Sequence, residues 1–373
     1  MEPSQAVTPP YLATPLRLEP FRALTLAPQR VGDAAAARAF ARPYREVAGR
    51  LRRWQATGRV LRDETPGLYL HEYTADGITV RGIVGALDMS RRAPDLASRA
   101  VLPHEGIYPH RAHDLAERML VMKLNPAPIL LVHRGPAETR HVIAALLKEE
   151  PQRRFTDRGD QRHRVWPIRG ADLDRVHASL LDSRPVIADG HHRYAAYLQL
   201  QQAHPGTAWD RGLAMLVDQD DTPLQLGAIH RVLRRVKLTT LGDALVGGPH
   251  ALEASSREAA VSALGTDTLA VTDGRTWAIL RLDLQGDRSA VEAFHDDVLP
   301  ALATPPAAIG YLHTADETLH KVRRDRDLAV LMPAPDFDLV HRIVAHDRLL
   351  PEKATSFQPK PSTGVLMRSV DDE

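Results

Sequence analysis

The sequence predicts a mixed fold, α/β or α+β, and three observations lead there. Short apolar strand-like runs alternate with amphipathic helical runs along most of the chain. Two strand pairs meet at Asp-Gly turns, Asp76-Gly77 and Asp273-Gly274. The length of 373 residues suits two domains, or one large domain with an elaboration, and 43% apolar residues supply a core. Strand order cannot be read at this level.

The elements follow in order. Asp33 to Thr57 reads as a helix, with arginines on one side and Val47, Leu51 and Trp54 on the other. Gly67–Tyr73 and Val80–Leu87 read as strands around the turn Ala75-Asp76-Gly77. Ala112–Leu124 is an amphipathic helix that should stop at Asn125-Pro126, because a residue before proline disfavours the helical region. A buried strand, Pro128–His133, precedes a helix over Glu138–Glu149. Pro185–Ala188 is a short strand running into a helix over Gly190–Ala203. Leu213–Val217 and Leu224–Val232 read as strands, and Arg231 to Lys237 as the basic solvent edge of a strand. Thr240–Ala263 weakens into small residues, a candidate linker or variable lobe. Thr268–Leu282 reads as a hairpin with a type I′ turn, and Ser289–Leu302 as a helix. The Pro/Lys/Ser/Thr-rich tail, Leu350–Gly364, is followed by the strand-like Val365–Met367, which argues for an ordered loop.

Composition narrows the chemistry. Lys plus Arg number 48 against 47 Asp plus Glu, so a partner bound by broad phosphate neutralisation, such as nucleic acid, is disfavoured. With no cysteine, disulfides, thiol nucleophiles, thiolate zinc sites and iron–sulfur clusters are excluded. No run approaches ~18 apolar residues, and Met1 to Pro20 lacks the basic and apolar regions of a signal peptide. The expectation is a cytoplasmic protein. The 18 histidines are the unusual count, high enough to expect chemistry from some of them.

The most informative segment is Asp189-Gly190-His191-His192-Arg193. A buried strand meets a helix through one glycine, with Asp189 at the expected N-cap. The first helical turn then carries two histidines and an arginine, although the helix dipole disfavours cations there by roughly 0.3–1 kcal/mol. Backbone N–H groups, the dipole and Arg193 together would make an anion site, and Gly190 would let a phosphate approach the backbone. The alternative is a capped turn whose histidines are solvated or bonded to nearby carbonyls. Neither a glycine-rich phosphate loop nor a G-x-G-x-x-G fingerprint occurs, so a nucleotide would be held in this way instead.

Two further clusters stand out. His104-Glu105 could act as a general base with an orienting partner, as a metal-facing pair, or as a structural ion pair. His110 and His113 lie nearby, but the H-E-x-x-H order of a zinc helix is absent. In the tail, Lys353, Thr355 and Lys360 sit among prolines and Phe357, either closing over phosphates or forming a solvated surface loop.

These residues make the chain resemble the bacterial and archaeal domain-of-unknown-function family 1015. The resemblance runs through Phe21-Arg22-Ala23-Leu24, Trp54 to Asp63, Tyr69, Val101 to Glu105, Pro128 to Leu131, Val186 to Tyr194, His230-Arg231-Val232 and Lys353 to Gly364. Its most specific parts are the Asp-Gly-His-His-Arg motif and the Lys-x-Thr-x-Phe-x-Pro-Lys tail. The resemblance implies an α+β fold with a ParB/sulfiredoxin-like mixed-sheet core over residues 1–235. An additional α/β lobe over 236–373 would carry a C-terminal loop returning to the site. It further implies a nucleotide-dependent kinase acting on the hydroxyl of free serine or a similar small amino acid, with ATP or ADP, or else CTP, and Mg2+.

In that reading Gly190, His191, His192 and Arg193 hold phosphates, joined by Lys353, Thr355 and Lys360 from the tail. Asp189 holds magnesium or orients the substrate hydroxyl, and Glu105, oriented by His104, is the base. His191 or His192 stands where sulfiredoxin has its catalytic cysteine, which excludes sulfinic-acid reduction. The family's Pro-Pro-Tyr-Asp-Val-Ile stretch is compressed here into Val31–Tyr44. Two rivals are a non-catalytic nucleotide-binding regulator of ParB type and a degenerate paralogue partnering a metabolic enzyme. Neutral charge stands against the first; the compressed stretch favours the second.

Overall fold

The computed structural model describes residues 6–32 and 47–371. Most of the expected Asp33–Thr57 helix and of the compressed Val31–Tyr44 stretch therefore lies outside the described residues. The chain is a mixed α+β protein with several sheets, divided into two units. The first comprises 1–224 and returns for 359–373; the second spans 225–358.

The first unit is built on an eight-stranded sheet. Its strands are β1 (Leu18–Glu19), β4 (Leu68–Ala75), β5 (Ile78–Asp88), β7 (Ile129–His133), β8 (Arg153–Thr156), β9 (Arg162–Ile168), β10 (Val186–Asp189) and β11 (Arg211–Asp218). They run in the order β10-β7-β11-β5-β4-β9-β8, with β1 pairing the far end of β5. Only β11 and β7 are parallel within it. Alternation along the strands sends Leu68, Leu70, Ile83, Trp166 and Ile168 into one apolar layer. Helices α2 (Pro109–Met122), α3 (Ala137–Leu146), α4 (Gly170–Leu180) and α5 (His191–Ala203) contribute to the same layer. Tyr69, His71 and Tyr73 lie on the opposite face, yet are also buried.

A four-stranded sheet completes the unit, in the order β3 (Val60–Arg62), β2 (Ala23–Leu26), β20 (Met367–Ser369), β6 (Leu124–Asn125). The C-terminal strand is thus central, and buried Arg368 fixes it by donating to Asn125 Oδ1 at 2.9 Å and to the Ala208 carbonyl at 2.6 Å. The short helix α1 (Val47–Ala56) precedes β3.

The second unit centres on a six-stranded antiparallel sheet ordered β14-β16-β15-β18-β13-β17. These are β13 (His230–Arg234), β14 (Ala251–Ser255), β15 (Thr268–Thr272), β16 (Trp277–Arg281), β17 (Ile309–Leu312) and β18 (Asp327–Leu331). Its helices include α6 (Leu238–Leu245), α7 (Arg257–Ser262), the helical segment 290–301 (α8), α9 (Ala315–Lys321) and α10 (Phe337–Ala345). A separate ribbon pairs β12 (Gln225–Gly227) with β19 (Ser356–Gln358).

Several local expectations are corrected. The expected Leu224–Val232 strand is interrupted, giving β12 and β13. Thr240–Ala263 is not a linker: it carries the end of α6, then β14 and α7. The 268–282 hairpin turns through four residues, with Asp273 Oδ1 accepting from the Arg275 and Thr276 N–H groups, so no two-residue type I′ turn forms. Strand β13 is not an edge, because it pairs with both β17 and β18. Its Arg231 is fully buried and donates to the Ile229 and Lys353 carbonyls. Helix α2 stops before Asn125-Pro126, at Lys123, which adopts a left-handed conformation (φ 53°).

Candidate functional site

Strand β10 delivers Asp189 to the sheet's end and Gly190 turns the chain into α5. Gly190 takes φ +96°, a conformation that side chains resist, and a Cβ there would lie 3.0 Å from the Arg193 guanidinium. Glycine, rather than the expected Asp189, is therefore the N-cap residue, and it makes no side-chain cap. That leaves the Asp189 carboxylate for other partners. Arg193 engages one of its oxygens and Lys360 the other. Burial raises the Asp189 pKa, but the two cations outweigh burial and hold the carboxyl below its ordinary value. Arg193 also donates to the Pro128 carbonyl at 2.6 Å, which turns its guanidinium back toward the sheet.

The two histidines answer the electrostatic puzzle posed by the sequence. His191 Nε2 accepts the backbone N–H of His104 at 3.3 Å, and His192 Nε2 accepts that of Tyr108 at 3.1 Å. A nitrogen that accepts carries no proton, so both rings are neutral, with the proton on Nδ1. No second charge is then placed against the helix dipole. The same bonds tie the 104–108 loop to the head of α5, and a bridge between Leu102 and Val186 continues the attachment. His104 is fully buried and packs edge-on to His191 with ring centroids 4.6 Å apart. Burial lowers its pKa to about 4, so it too is neutral. Glu105 lies on the same loop with its side chain 16% exposed, 3.9 Å from His104 Nε2. At that distance His104 neighbours Glu105 without hydrogen-bonding through that contact.

Lys360 reaches Asp189 because the tail is held from below. Gln161 grips it twice, donating to the Lys360 carbonyl at 3.0 Å and accepting the Ser362 N–H at 3.2 Å. The Tyr73 hydroxyl donates to the Pro359 carbonyl at 2.7 Å. Gln161 closes the β8–β9 turn, whose shape is set by Asp157 Oδ1 accepting the N–H groups of Gly159 and Gln161 at 2.8 and 3.0 Å. The other Asp157 oxygen starts a buried chain, 3.1 Å to His163 Nε2 and then 3.1 Å from His163 Nδ1 to His71 Nε2.

The structure therefore brings together Glu105, His104, Asp189, Gly190, His191, His192, Arg193 and Lys360, from three separated segments. Lys353 and Thr355 belong to the second unit, where Lys353 takes φ +59° and Thr355 is buried. Gln161, Tyr73 and Tyr108 were not anticipated. The Asp157-Arg-Gly-Asp-Gln161 turn signal was the available clue to the first. Among the described residues no three His, Asp or Glu side chains gather as a metal site, and a metal on Asp189 would have to displace both cations. No described helix is long and apolar enough to cross a membrane.

Comparison with known proteins gives a family and distant structural likenesses. Residues 16–283 match the model of the family described as "Protein of unknown function (DUF1015)". No curated protein matches. Among solved structures, free serine kinase in complex with AMP is 14% identical, covering 79% of this chain and 94% of that one at a TM-score of 0.42. A mutant of that kinase with ADP is 13% identical, covering 78% and 94%, at 0.42. SbnI with a C-terminal truncation, from Staphylococcus aureus, is 13% identical, covering 77% and 88%, at 0.44.

Proposed function

Because the chain belongs to the DUF1015 family, whose description names no activity, its function must come from its own site, and we propose a nucleotide-dependent small-molecule kinase. Its acceptor in this reading is the hydroxyl of free serine or a similar small amino acid, and its donor is ATP or ADP. The observation that supports it is the clamping of the Glu105 loop onto the turn where Asp189 holds Lys360 and Arg193.

Phosphoryl transfer asks a protein mainly for positioning and for stabilisation of charge. Lys360 is a compact cation on a flexible stem, half exposed, and can move from Asp189 to an arriving phosphate. Arg193, packed against Gly190, holds the turn and adds positive potential at the head of α5. Glu105 accepts the proton of the attacking hydroxyl, and Asp189 orients that hydroxyl. His191 and His192 act as positioning residues through the loop bonds they make. Mg2+ is usually held by one or two carboxylates together with substrate phosphates. Asp189, engaged by two cations, does not fit a resident metal as it stands, so Lys360 and Arg193 meet the developing charge. The same reading takes the first unit as a ParB/sulfiredoxin-like core, supported by its strand–glycine–helix turn.

The test is a melting-temperature screen with ATP, ADP, AMP, CTP and inorganic phosphate, followed by 31P NMR of the best donor with serine. We expect a stabilising shift and a phosphorylated serine that Glu105→Gln no longer makes. No shift with any nucleotide or phosphate would sink the anion site; a shift without transfer to any hydroxy amino acid would sink the kinase.

A further inference from the structure

A second polar surface lies on the β4–β5–β8–β9 part of the first unit's sheet, away from Asp189. The apolar face that begins with Leu68, Leu70, Ile83 and Trp166 changes character along the strands. One step beyond the row Ile83–Leu70–Trp166, register places Arg81, Glu72, Arg164 and Arg154 side by side across four strands. One step further stand Thr79, Thr74, Arg162 and Thr156. Four guanidinium groups and three hydroxyls thus share one face with a single carboxylate, around a cleft of about 510 Å³.

That carboxylate organises the arginines. Glu72 is buried, with Oε2 accepting from Arg81 Nε at 2.8 Å and Oε1 from Arg164 Nε at 2.6 Å. Each interaction fixes one edge of a planar fork and leaves other N–H donors of that fork for a ligand. Arg164 also sits over the Trp166 ring at 5.1 Å, which restricts it further. The nearby acids do not cancel the excess. Glu150, paired with Arg154 at 3.1 Å, is 89% exposed, and Asp221 is 3.7 Å from Arg81. With strands about 4.8 Å apart, the arginine row spans roughly 14 Å, more than one phosphate can bridge.

We propose that this cleft is a second anion site, binding a small molecule that carries a diphosphate group. Preorganised, planar guanidinium groups recognise phosphate oxygens two at a time, and threonine hydroxyls supply the remaining donors. The cleft volume is that of a small-molecule site, not of an extended polymer track. The site is separate from the proposed phosphate turn and does not depend on the kinase reading.

The experiment is calorimetric titration of inorganic pyrophosphate into the full chain, Arg154→Gln/Arg162→Gln and Lys360→Ala. Both arginines are exposed, so the double variant should keep the native melting temperature without ligand. Pyrophosphate binding at the cleft should weaken about tenfold or more in the double variant, since charge-assisted hydrogen bonds are lost, and persist in Lys360→Ala. Raising the salt should weaken it as well. Binding lost only in Lys360→Ala, binding indifferent to the double substitution, or no binding at all would each overturn the proposal. Repeating the titration with ADP separates a nucleoside diphosphate from a free one: tighter binding at the cleft assigns the nucleotide, equal or weaker binding the free anion.

Discussion

Two aspartates in this protein carry the same charge arithmetic and do different things. Asp327, at the start of β18, and Asp189, at the end of β10, are each held by two cations. Asp327 is wholly buried and accepts from Arg234 Nη1 at 2.6 Å, Arg323 Nε at 2.8 Å and Arg323 Nη2 at 3.0 Å. The backbone N–H groups of Arg235 and Arg323 add bonds at 3.2 Å each. Both cations lie near it along the chain or in register with it, as Arg234 does across the β13–β18 ladder. Asp189 is one-quarter exposed, and one of its cations, the half-exposed Lys360, comes from 171 residues away on a gripped tail. A carboxylate saturated by fixed donors is a staple. One held by a mobile lysine on a borrowed segment is exchangeable, and exchange is what a ligand site requires.

The largest expected effect separates the two directly. Asp327→Asn takes the charge from a buried acceptor and leaves two partly exposed arginines without it, and should cost about 1.5–3 kcal/mol, as loss of a hydrogen bond to a charged group typically does. Asp189→Asn removes a partly exposed pair and should cost about 1 kcal/mol or less. Its functional effect has the opposite balance. With the carboxylate gone, Lys360 and Arg193 are free for phosphate, so nucleotide affinity should hold or rise while transfer to serine falls. Urea unfolding of both variants, with nucleotide titration of the second, checks this. Equal destabilisation by the two substitutions would erase the distinction between staple and site.

The two clusters also differ in how legible they were. The motif from Asp189 to Arg193 is contiguous, and a strand running into a helix through glycine is a local signal, so its place in the fold was readable. The role of Asp189 was not. Capping depends on the backbone angles of the residue at the helix start, and Gly190 at φ +96° took that position. Histidine charge was equally hidden, because His191 and His192 are kept neutral by N–H donors from the 104–108 loop, far away in sequence. Arg231 misled for a related reason: an alternating basic run reads as an edge, whereas two neighbouring strands and a pair of carbonyls bury it. The β8–β9 hairpin escaped because its strands carry arginine on the face that ordinarily announces a strand by apolar alternation.

A smaller, pH-dependent effect sharpens the contrast. His71, His163 and His104 are held neutral, their pKa values lowered chiefly by burial, that of His104 to about 4. Their ordinary value is near 6.5, so the unfolded chain takes up protons first as pH falls, and stability present above about 6.5 is lost below it. His71 and His163 both add to that loss, His163 less simply because Asp157 beside it works against its burial. Both aspartates have lowered pKa values, so their contribution persists through this window and is lost only as pH falls through the carboxylate range toward those depressed values. A melting profile from pH 7 to 5 should therefore slope downward, and His71→Gln/His163→Gln should make it shallower, the rest of the slope coming from His104 and the other buried neutral histidines. A flat wild-type profile would contradict the neutral-histidine assignment.

The smallest effect bears on what makes Lys360 exchangeable rather than merely loose. Gln161 holds the tail on both sides of Lys360, and its own backbone is fixed by Asp157. Gln161→Ala removes two neutral hydrogen bonds at a partly exposed site and should cost only about 1 kcal/mol of stability. If the grip positions the lysine, the loss should fall on nucleotide affinity, several-fold, with Arg193 and the turn untouched. Lys360→Ala made alone and together with Gln161→Ala supplies the control. Once the lysine side chain is gone, releasing its segment should weaken affinity no further, so the two losses should not add. Additive losses would mean that Gln161 acts on the ligand by another route, and that the tail at Asp189 is a staple like the one at Asp327.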